Sequence, residues 1–236
     1  MKAREQVGMK AGIVLLARTA STRLPAKALE PIGDWVILEH CLRRLTASGV
    51  GRVVLATTTQ PEDDALVAVA RGIGVPVFRG DSADVLGRTV AAAREFGLDP
   101  IVRATGDNPA VDMQAPGRML AALRASKADY VREDGLPYGA DVEAMTASAL
   151  RRAAELTSES SDREHVTTFI RRRTDLFRVV HVQAPAPLTR PSLRLTVDTP
   201  DDLVHVRELF ARTKSEYPSL RRLIEAAGAR VHVEVA

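Results

Sequence analysis

Gly12-Ile13-Val14-Leu15-Leu16-Ala17 runs straight into Arg18-Thr19-Ala20-Ser21-Thr22-Arg23-Leu24-Pro25-Ala26-Lys27. The first six residues are apolar and lack a helical period, as expected of a strand covered on both faces. Residues 18–27 are polar and basic. A buried strand that opens directly into such a loop points to an α/β chain. Working outward, residues 36–45 carry Ile37, Cys41, Leu42 and Leu45 at helical spacing. Strands are expected at 52–57, 75–78 and 101–105. Helices are expected from Pro61 to about Arg71, at about 83–96 and at 113–126. Pro61-Glu62-Asp63-Asp64 suits a helix start, where proline and acids are favoured. Strands alternating with helices imply right-handed crossovers and a mostly parallel sheet flanked by helices.

The rhythm changes after about Tyr130. Residues 138–145 and 177–182 read as extended, and 146–156 and 162–173 as helical. The stretch 184–191 holds three prolines and reads as loop. Residues 192–197 read as a strand, and 200–212 as a helix opened by Thr199-Pro200-Asp201-Asp202. The expected organisation is a single domain over 11–236 with an insertion or flap at about 133–190. Residues 1–10 are expected to be a frayed tail.

Composition narrows the function classes. The chain has 236 residues, 45% of them apolar and 27% charged, which is ordinary for a globular protein of one or two domains. One cysteine excludes an internal disulfide framework and a multi-cysteine metal site. No apolar run approaches the ~20 residues that span a bilayer. A reduced, cytoplasmic setting without membrane contact is the expectation. The net charge of +3 comes from scattered arginines, and aromatics make up only 4%. Single-strand binding wants aromatic stacking beside a basic groove, so small anions are expected here rather than nucleic acid.

In open parallel sheets, ligands bind beyond the carboxyl ends of the strands. The loop at 17–27 holds three cations (Arg18, Arg23, Lys27) and three hydroxyls (Thr19, Ser21, Thr22). It can wrap a polyphosphate with N–H groups, hydroxyls and charge; it can also be a solvated basic loop. It lacks both the Walker spacing and the dinucleotide glycine fingerprint. Thr105-Gly106-Asp107-Asn108-Pro109 lies at the end of a strand. An acid placed there can hold a divalent cation over phosphates, and the same residues favour a simple turn. Thr199 and Pro200 are explained as a helix cap, with Asp201 and Asp202 in the first turn. That leaves Asp198 free to face Asp107 across the sheet.

Together these features resemble the sugar cytidylyltransferases, the acylneuraminate and 3-deoxy-manno-octulosonate enzymes among them. The chain is more similar still to the spore-coat polysaccharide cytidylyltransferase-like proteins. The motifs that carry the resemblance are 17–27, 56–64, 77–86, 103–109, 163–167 and 195–203, in order over about residues 12–212. The resemblance implies a nucleotide-diphospho-sugar transferase fold, Rossmann-like, with an inserted flap or dimerisation region. It implies transfer of CMP from CTP to an anionic acceptor, an acidic sugar or a phosphonate, with release of pyrophosphate. Ala17, Arg18, Ser21, Arg23 and Lys27 would surround the triphosphate, with Lys27 and Arg18 as the catalytic cations. Asp107 and Asp198 would hold Mg²⁺. Thr57, Arg79, Gly80 and Thr105 join the nucleotide-binding set, with backbone near Gly80 reading the base. Asp81, Asp84 and Arg88 are either nucleotide neighbours or helix-start acids with a structural ion pair. Tyr138, Asp141, Glu143, Arg163, Glu164 and His165 are the acceptor candidates. Trp35 and Phe169 read as core or dimer contacts, and a homodimer is implied.

One departure limits the likeness. The octulosonate enzymes carry a Gln-Gly-Asp-Glu-Pro type of motif where this chain has Thr-Gly-Asp-Asn-Pro, so their substrate is not carried over. Two other readings stand beside this one: a glycosyltransferase of the same fold that uses a nucleotide sugar, and a non-catalytic nucleotide-binding regulatory protein.

Overall fold

Strand β1 (Lys10–Leu16) lies between two parallel neighbours in a computed structural model that describes residues 10–215 and 217–228. Its side chains alternate between the two faces, as a pleated strand requires. Ile13, Leu15 and Ala17 enter one core, and Val14 and Leu16 the other. Each fully buried aliphatic side chain contributes about 1.5–3 kcal/mol. A strand apolar from Ala11 to Leu16 is therefore held in the interior of a sheet.

In chain order the elements are β2 (Pro31–Ile32), β3 (Trp35–Val36), α1 (Ile37–Ala47), β4 (Arg52–Thr58), α2 (Asp64–Gly72), β5 (Val77–Gly80) and α3 (Val85–Glu95). Next come β6 (Leu98–Thr105), α4 (Ala115–Ser126), β7 (Tyr130–Asp134), β8 (Glu143–Met145), α5 (Ala147–Leu156), α6 (Ser160–His165) and α7 (Thr168–Arg172). The chain continues with β9 (Val179–Gln183), α8 (Pro200–Thr213) and α9 (Leu220–Gly228). β2 and β3 form a separate small hairpin. The main sheet has seven strands in the order β5-β4-β1-β6-β8-β7-β9. Only β8 runs against its neighbours. Helices α1, α2, α4, α8 and α9 pack on one face, and α3, α5 and α7 on the other. The expected class, α/β with a mostly parallel sheet flanked by helices, is the one observed.

Several local expectations are corrected. Residues 192–197 form no strand. Leu195 and Thr196 both donate to the Tyr138 carbonyl, at 2.8 and 3.1 Å, while Val197 donates to the Asp107 carbonyl at 2.9 Å. A segment whose amides go to two different loops cannot build a ladder, and a single bridge from Tyr138 to Arg194 remains. Likewise, only residues 143–145 of the extended stretch at 138–145 join the sheet. The helix expected at 162–173 breaks at Val166, whose φ is +55°. β7 and α9 were not anticipated. Residues 133–190 build β8, β9 and α5–α7 on the same sheet. Of the expected tail, residues 1–9 lie outside the described residues, while Lys10 begins β1. Residues 229–236 of the expected domain also lie outside them.

Gly139 marks the tightest of these crossings. Its φ is +92°, and a Cβ there would stand 2.5 Å from the Thr196 amide nitrogen. Gly139→Ala is expected to destabilise the fold by at least about 1–3 kcal/mol through backbone strain, with the clash in addition. Gly117→Ala is its control, because nothing lies within 4 Å of that position on α4. It is expected to be neutral or to stabilise by up to about 1 kcal/mol. Urea unfolding of the two variants checks both; equal midpoints would contradict the packing argument.

Candidate active site

The register of β1 places the site. Leu16 lies opposite Ala56 of β4 and Thr105 of β6, so the loops after β1 and β6 leave the sheet side by side. The Gly106 amide donates to the Leu16 carbonyl at 2.8 Å. A Cβ on Gly106 would come within 2.7 Å of the Ala17 Cβ, so only glycine lets the loops approach this closely.

The loop at 17–27 is pinned by Asp63, which is 1% exposed. One carboxylate oxygen accepts from the Thr19 amide at 2.7 Å and its hydroxyl at 2.6 Å. The other accepts from the Thr57 hydroxyl and from the amide and hydroxyl of Thr58. Burial pushes this carboxyl up, but the hydrogen bonds from Thr19, Thr58 and Thr57 outweigh it and hold the group at about 2. The loop then turns back through Ala26, which has φ +52° and donates to the Thr19 carbonyl. That turn presents Lys27.

Lys27 reaches two carboxylates at once. Its Nζ lies 2.8 Å from Asp107 Oδ2 and 2.7 Å from Asp198 Oδ1. Burial alone would lower the lysine's pKa; charge and hydrogen bonds from Asp107 and Asp198 reverse this and raise it. Burial likewise pushes Asp198 up, and the lysine, Arg194 and Arg23 hold it below the ordinary carboxylate range. Arg194 donates to Asp198 Oδ2 at 2.8 Å and to Asp202 Oδ1 at 2.7 Å. Asp202 also accepts from the amides of Asp198 and Thr199 and completes the capping box of α8. The helix start and the placement of Asp198 are one arrangement.

Lys27 and Asp107 border a cleft of about 830 Å³, lined also by Ala17, Arg18, Ser21, Arg23, Thr105, Glu164 and His165. Arg18 crosses its mouth to Glu164 at 2.9 Å. Beyond Arg18 is a second cavity of about 740 Å³ bordered by Thr19, Thr58, Gln60 and Ser82. A third, of about 440 Å³, adjoins the cleft through Arg23, Arg103, Thr105, Asp107 and His165. Tyr138, Asp141, Glu143 and Asp198 line it too.

Four expected residues stand elsewhere. Thr57 is fully buried, with its hydroxyl committed to Asp63. Arg79 binds the carbonyls of Thr58 and Gln60, at 2.7 and 2.8 Å, and the Asp64 carboxylate. It is a clamp between β5 and the loop after β4. The Gly80 carbonyl accepts from Thr59 in the same clamp. Arg163 holds the Ala154 carbonyl at 2.7 Å and pairs with Asp84, away from the cavities. In each case a nearer backbone or carboxylate partner satisfies the group.

Glu143 borders the third cavity but is committed. It accepts from the Tyr130 hydroxyl, from Arg103 at 2.7 Å and from Thr167. Burial would raise its pKa, and Arg103 chiefly lowers it. Asp141 is raised, by burial first and by the charge of Glu143 second. Asp84 caps α3 through the Gly87 amide, and Arg88 donates to the Asp81 carbonyl, so these contacts are structural; of the three residues, Arg88 borders the cleft. Trp35 packs edge-on against His40 and Tyr217. Phe169 packs against Phe177 in the core. Cys41 is fully buried, and burial raises its thiol pKa.

The sequence reading missed Arg103, Arg132 and Arg171, which line the third cavity. Arg103 and Arg132 flank Glu143 across three adjacent strands. Arg103 lies two residues before Thr105 on β6, which puts both on one face. That was a usable signal; for Arg132 and Arg171 there was none without the register.

Two carboxylates aimed at one point suit a divalent ion that completes its shell with phosphates and water. Among the described residues no cluster of three or more His, Cys, Asp or Glu offers an all-protein metal site. The donor set therefore fits a metal shared with a phosphorylated ligand.

The cytidylyltransferase family model matches residues 11–227. The chain is 33% identical to the spore coat polysaccharide biosynthesis protein SpsF of Bacillus subtilis, over 84% of this chain and 85% of that protein. It is 31% identical to the 3-deoxy-manno-octulosonate cytidylyltransferase of Mesorhizobium japonicum, over 84% and 98%. The solved structure of a cytidylyltransferase from Leptospira borgpetersenii superposes with a TM-score of 0.87 at 30% identity, over 97% of this chain and 99% of that one.

The Asp63 latch makes stability depend on pH. Its carboxyl stands at about 2 in the fold against 3.8 ordinarily. A depressed carboxyl stabilises above its unfolded pKa, and that stabilisation fades as pH falls through the folded one. The shift corresponds to about 2 kcal/mol. Asp63→Ala is expected to lose at least that at neutral pH in urea unfolding. The gap to the native chain should narrow as pH drops from about 4 to about 2; a gap constant with pH would contradict the assignment.

Proposed function

This chain belongs to the cytidylyltransferase family, and we propose that it transfers CMP from CTP to a small anionic acceptor with Mg²⁺ at Asp107 and Asp198. The nucleotidyltransferase activity follows from family membership. The metal, the acceptor class and the residue roles are the proposal. One observation carries it: Asp107 and Asp198 converge on a single cationic centre in the wall between a basic cleft and a polar cavity.

Triphosphate belongs in the cleft, against Arg18, Ser21, Arg23 and Lys27. Guanidinium and ammonium groups there neutralise the leaving pyrophosphate through charge-assisted hydrogen bonds. The acceptor belongs in the third cavity. Arg103 pairs with Glu143, Arg132 with Asp134 and Arg23 with Asp198, so an anion entering that cavity would take these guanidiniums, and Arg171 beside them, in exchange with carboxylates. His165, Glu164, Tyr138 and Asp141 keep their candidacy at the acceptor side and Arg163 does not; Thr57, Arg79 and Gly80, expected at the nucleotide, have the named groups engaged elsewhere. The acceptor oxygen attacks the α-phosphorus, and the α–β bridging oxygen departs with pyrophosphate. Catalysis of this kind rests on positioning and charge. When bound, a divalent ion supplies charge neutralisation at the phosphates. We also infer a cytoplasmic homodimer with part of 133–190 at its interface. Among the described residues no helix is long and apolar enough to cross a membrane.

Pyrophosphate release tests this proposal, with Mg²⁺ and each of the four nucleoside triphosphates against a panel of acidic sugars and phosphonates. Release is expected only with CTP, Mg²⁺ and an anionic acceptor. Lys27→Ala is expected to lower kcat at least about 10²-fold, as loss of an anion-stabilising donor does; a fall under about threefold would remove Lys27 from that role. Asp107→Ala is expected to abolish metal-dependent CTP binding in calorimetry. Absence of CTP binding by the native chain would overturn the reading.

A further inference from the structure

The ammonium of Lys27 and a divalent ion have claims on the same point. Nζ sits 2.8 and 2.7 Å from one oxygen of each aspartate. Mg²⁺ bound by those oxygens would lie at roughly 2.0–2.1 Å from each. On the same two oxygens the two cations would repel at close range, so metal entry favours the lysine's departure.

Its departure is a side-chain movement. The backbone at Lys27 is fixed at both sides: its amide donates to Leu24, and its carbonyl accepts from Glu30. The side chain borders the basic cleft as well as the carboxylates. Rotation alone carries the ammonium toward an anion in that cleft. Without one, the ammonium would give up two carboxylates and gain nothing equivalent. The pair is also served by Arg23, 3.2 Å from Asp198 Oδ1, and by Arg194 on Oδ2. A free divalent ion would thus add charge to carboxylates already neutralised. A metal–triphosphate complex brings the anion that Lys27 needs and the cation that the aspartates need.

We propose that Lys27 is the resident counter-ion of the Asp107–Asp198 pair, so that the site rejects free divalent metal and admits metal carried by a triphosphate. This makes Lys27 specificity-determining for the metal as well as a phosphate contact. The inference rests on the reading of Asp107 and Asp198 as the metal-holding residues. By linkage, removing the competing cation must raise affinity for the metal alone.

The test uses Mn²⁺ as the probe, without nucleotide, and reads free Mn²⁺ by electron paramagnetic resonance. Native chain, Lys27→Met, Lys27→Arg and the double variant Lys27→Met with Asp107→Asn are compared. Lys27→Met is expected to bind Mn²⁺ about tenfold more tightly or better, since removing a neighbouring like charge favours a cation on the scale by which it shifts a proton's equilibrium. Lys27→Arg should stay near the native value, and the double variant should lose the gain. Thermal melting verifies folding, and Lys27→Gln replaces Lys27→Met if the latter does not fold. A Lys27→Met affinity no tighter than native overturns the proposal, as does a gain shared by Lys27→Arg or kept by the double variant. Because no nucleotide is present, this failure differs from failure of the cytidylyltransferase reading, which would appear as absent CTP binding by the native chain.

Discussion

Like charges define the problem this structure solves. Asp107 and Asp198 come from loops far apart in sequence, and both face one point at the open end of the sheet. Uncompensated, two half-buried carboxylates would repel each other and hold the loops apart. Lys27 closes that gap with one ammonium. It thereby joins the loop after β1, the loop after β6 and the start of α8. Removing one partner of such a buried group is costly, because the charge left behind has lost its solvent. The elements nearby are consistent with this constraint. Arg194 anchors Asp198 and Asp202 together, so the cap of α8 and the orientation of Asp198 share one guanidinium. Ala26 accepts a left-handed conformation to aim Lys27 inward.

Local signals were legible and long-range partners were not. β1, β4 and β6 stood out as apolar runs, and Thr199 with Pro200 announced α8 by cap chemistry. The loop at 17–27 and the strand-end acid Asp107 follow from the rule that parallel sheets bind ligands at their carboxyl ends. Arg79 shows where that rule stops. It stands at a strand's carboxyl end and carries a charge, much as Arg18 does, yet the carbonyls of Thr58 and Gln60 lie within its reach and claim it. Thr57 is claimed in the same way, its hydroxyl being taken by Asp63. A side chain's type says what it can bind; only the fold says what reaches it first.

Residues 138–145 and 192–197 show the same limit for backbone. Both have the composition of strands, and both are extended over part of their length. They meet at Gly139 and Thr196, where the amides divide between the Tyr138 and Asp107 carbonyls. A ladder demands one partner strand in continuous register, which composition does not reveal. The antiparallel β8 was hidden for a related reason. Its placement sets Glu143 between Arg103 and Arg132 on neighbouring strands. Opposite charges paired across a sheet stabilise it. Here they also set two guanidiniums and a carboxylate in the wall of the cavity beside them.

The charged groups of the cleft are paired with one another. Arg18 is held by Glu164, Lys27 by two aspartates, and Arg23 by Asp198. Phosphate binding must therefore exchange ion pairs rather than create them, and only the difference between old and new partners contributes to affinity. The exposed Arg18–Glu164 contact is the weaker one to exchange, since solvent screens it. The Lys27 trio is more buried and holds more strongly. A ligand that replaces only the first gains little, whereas one that also supplies a divalent ion satisfies both halves of the second. On the proposed reading of Asp107 and Asp198, the same pairing that holds three loops together makes the site selective for a metal and an anion arriving as a unit.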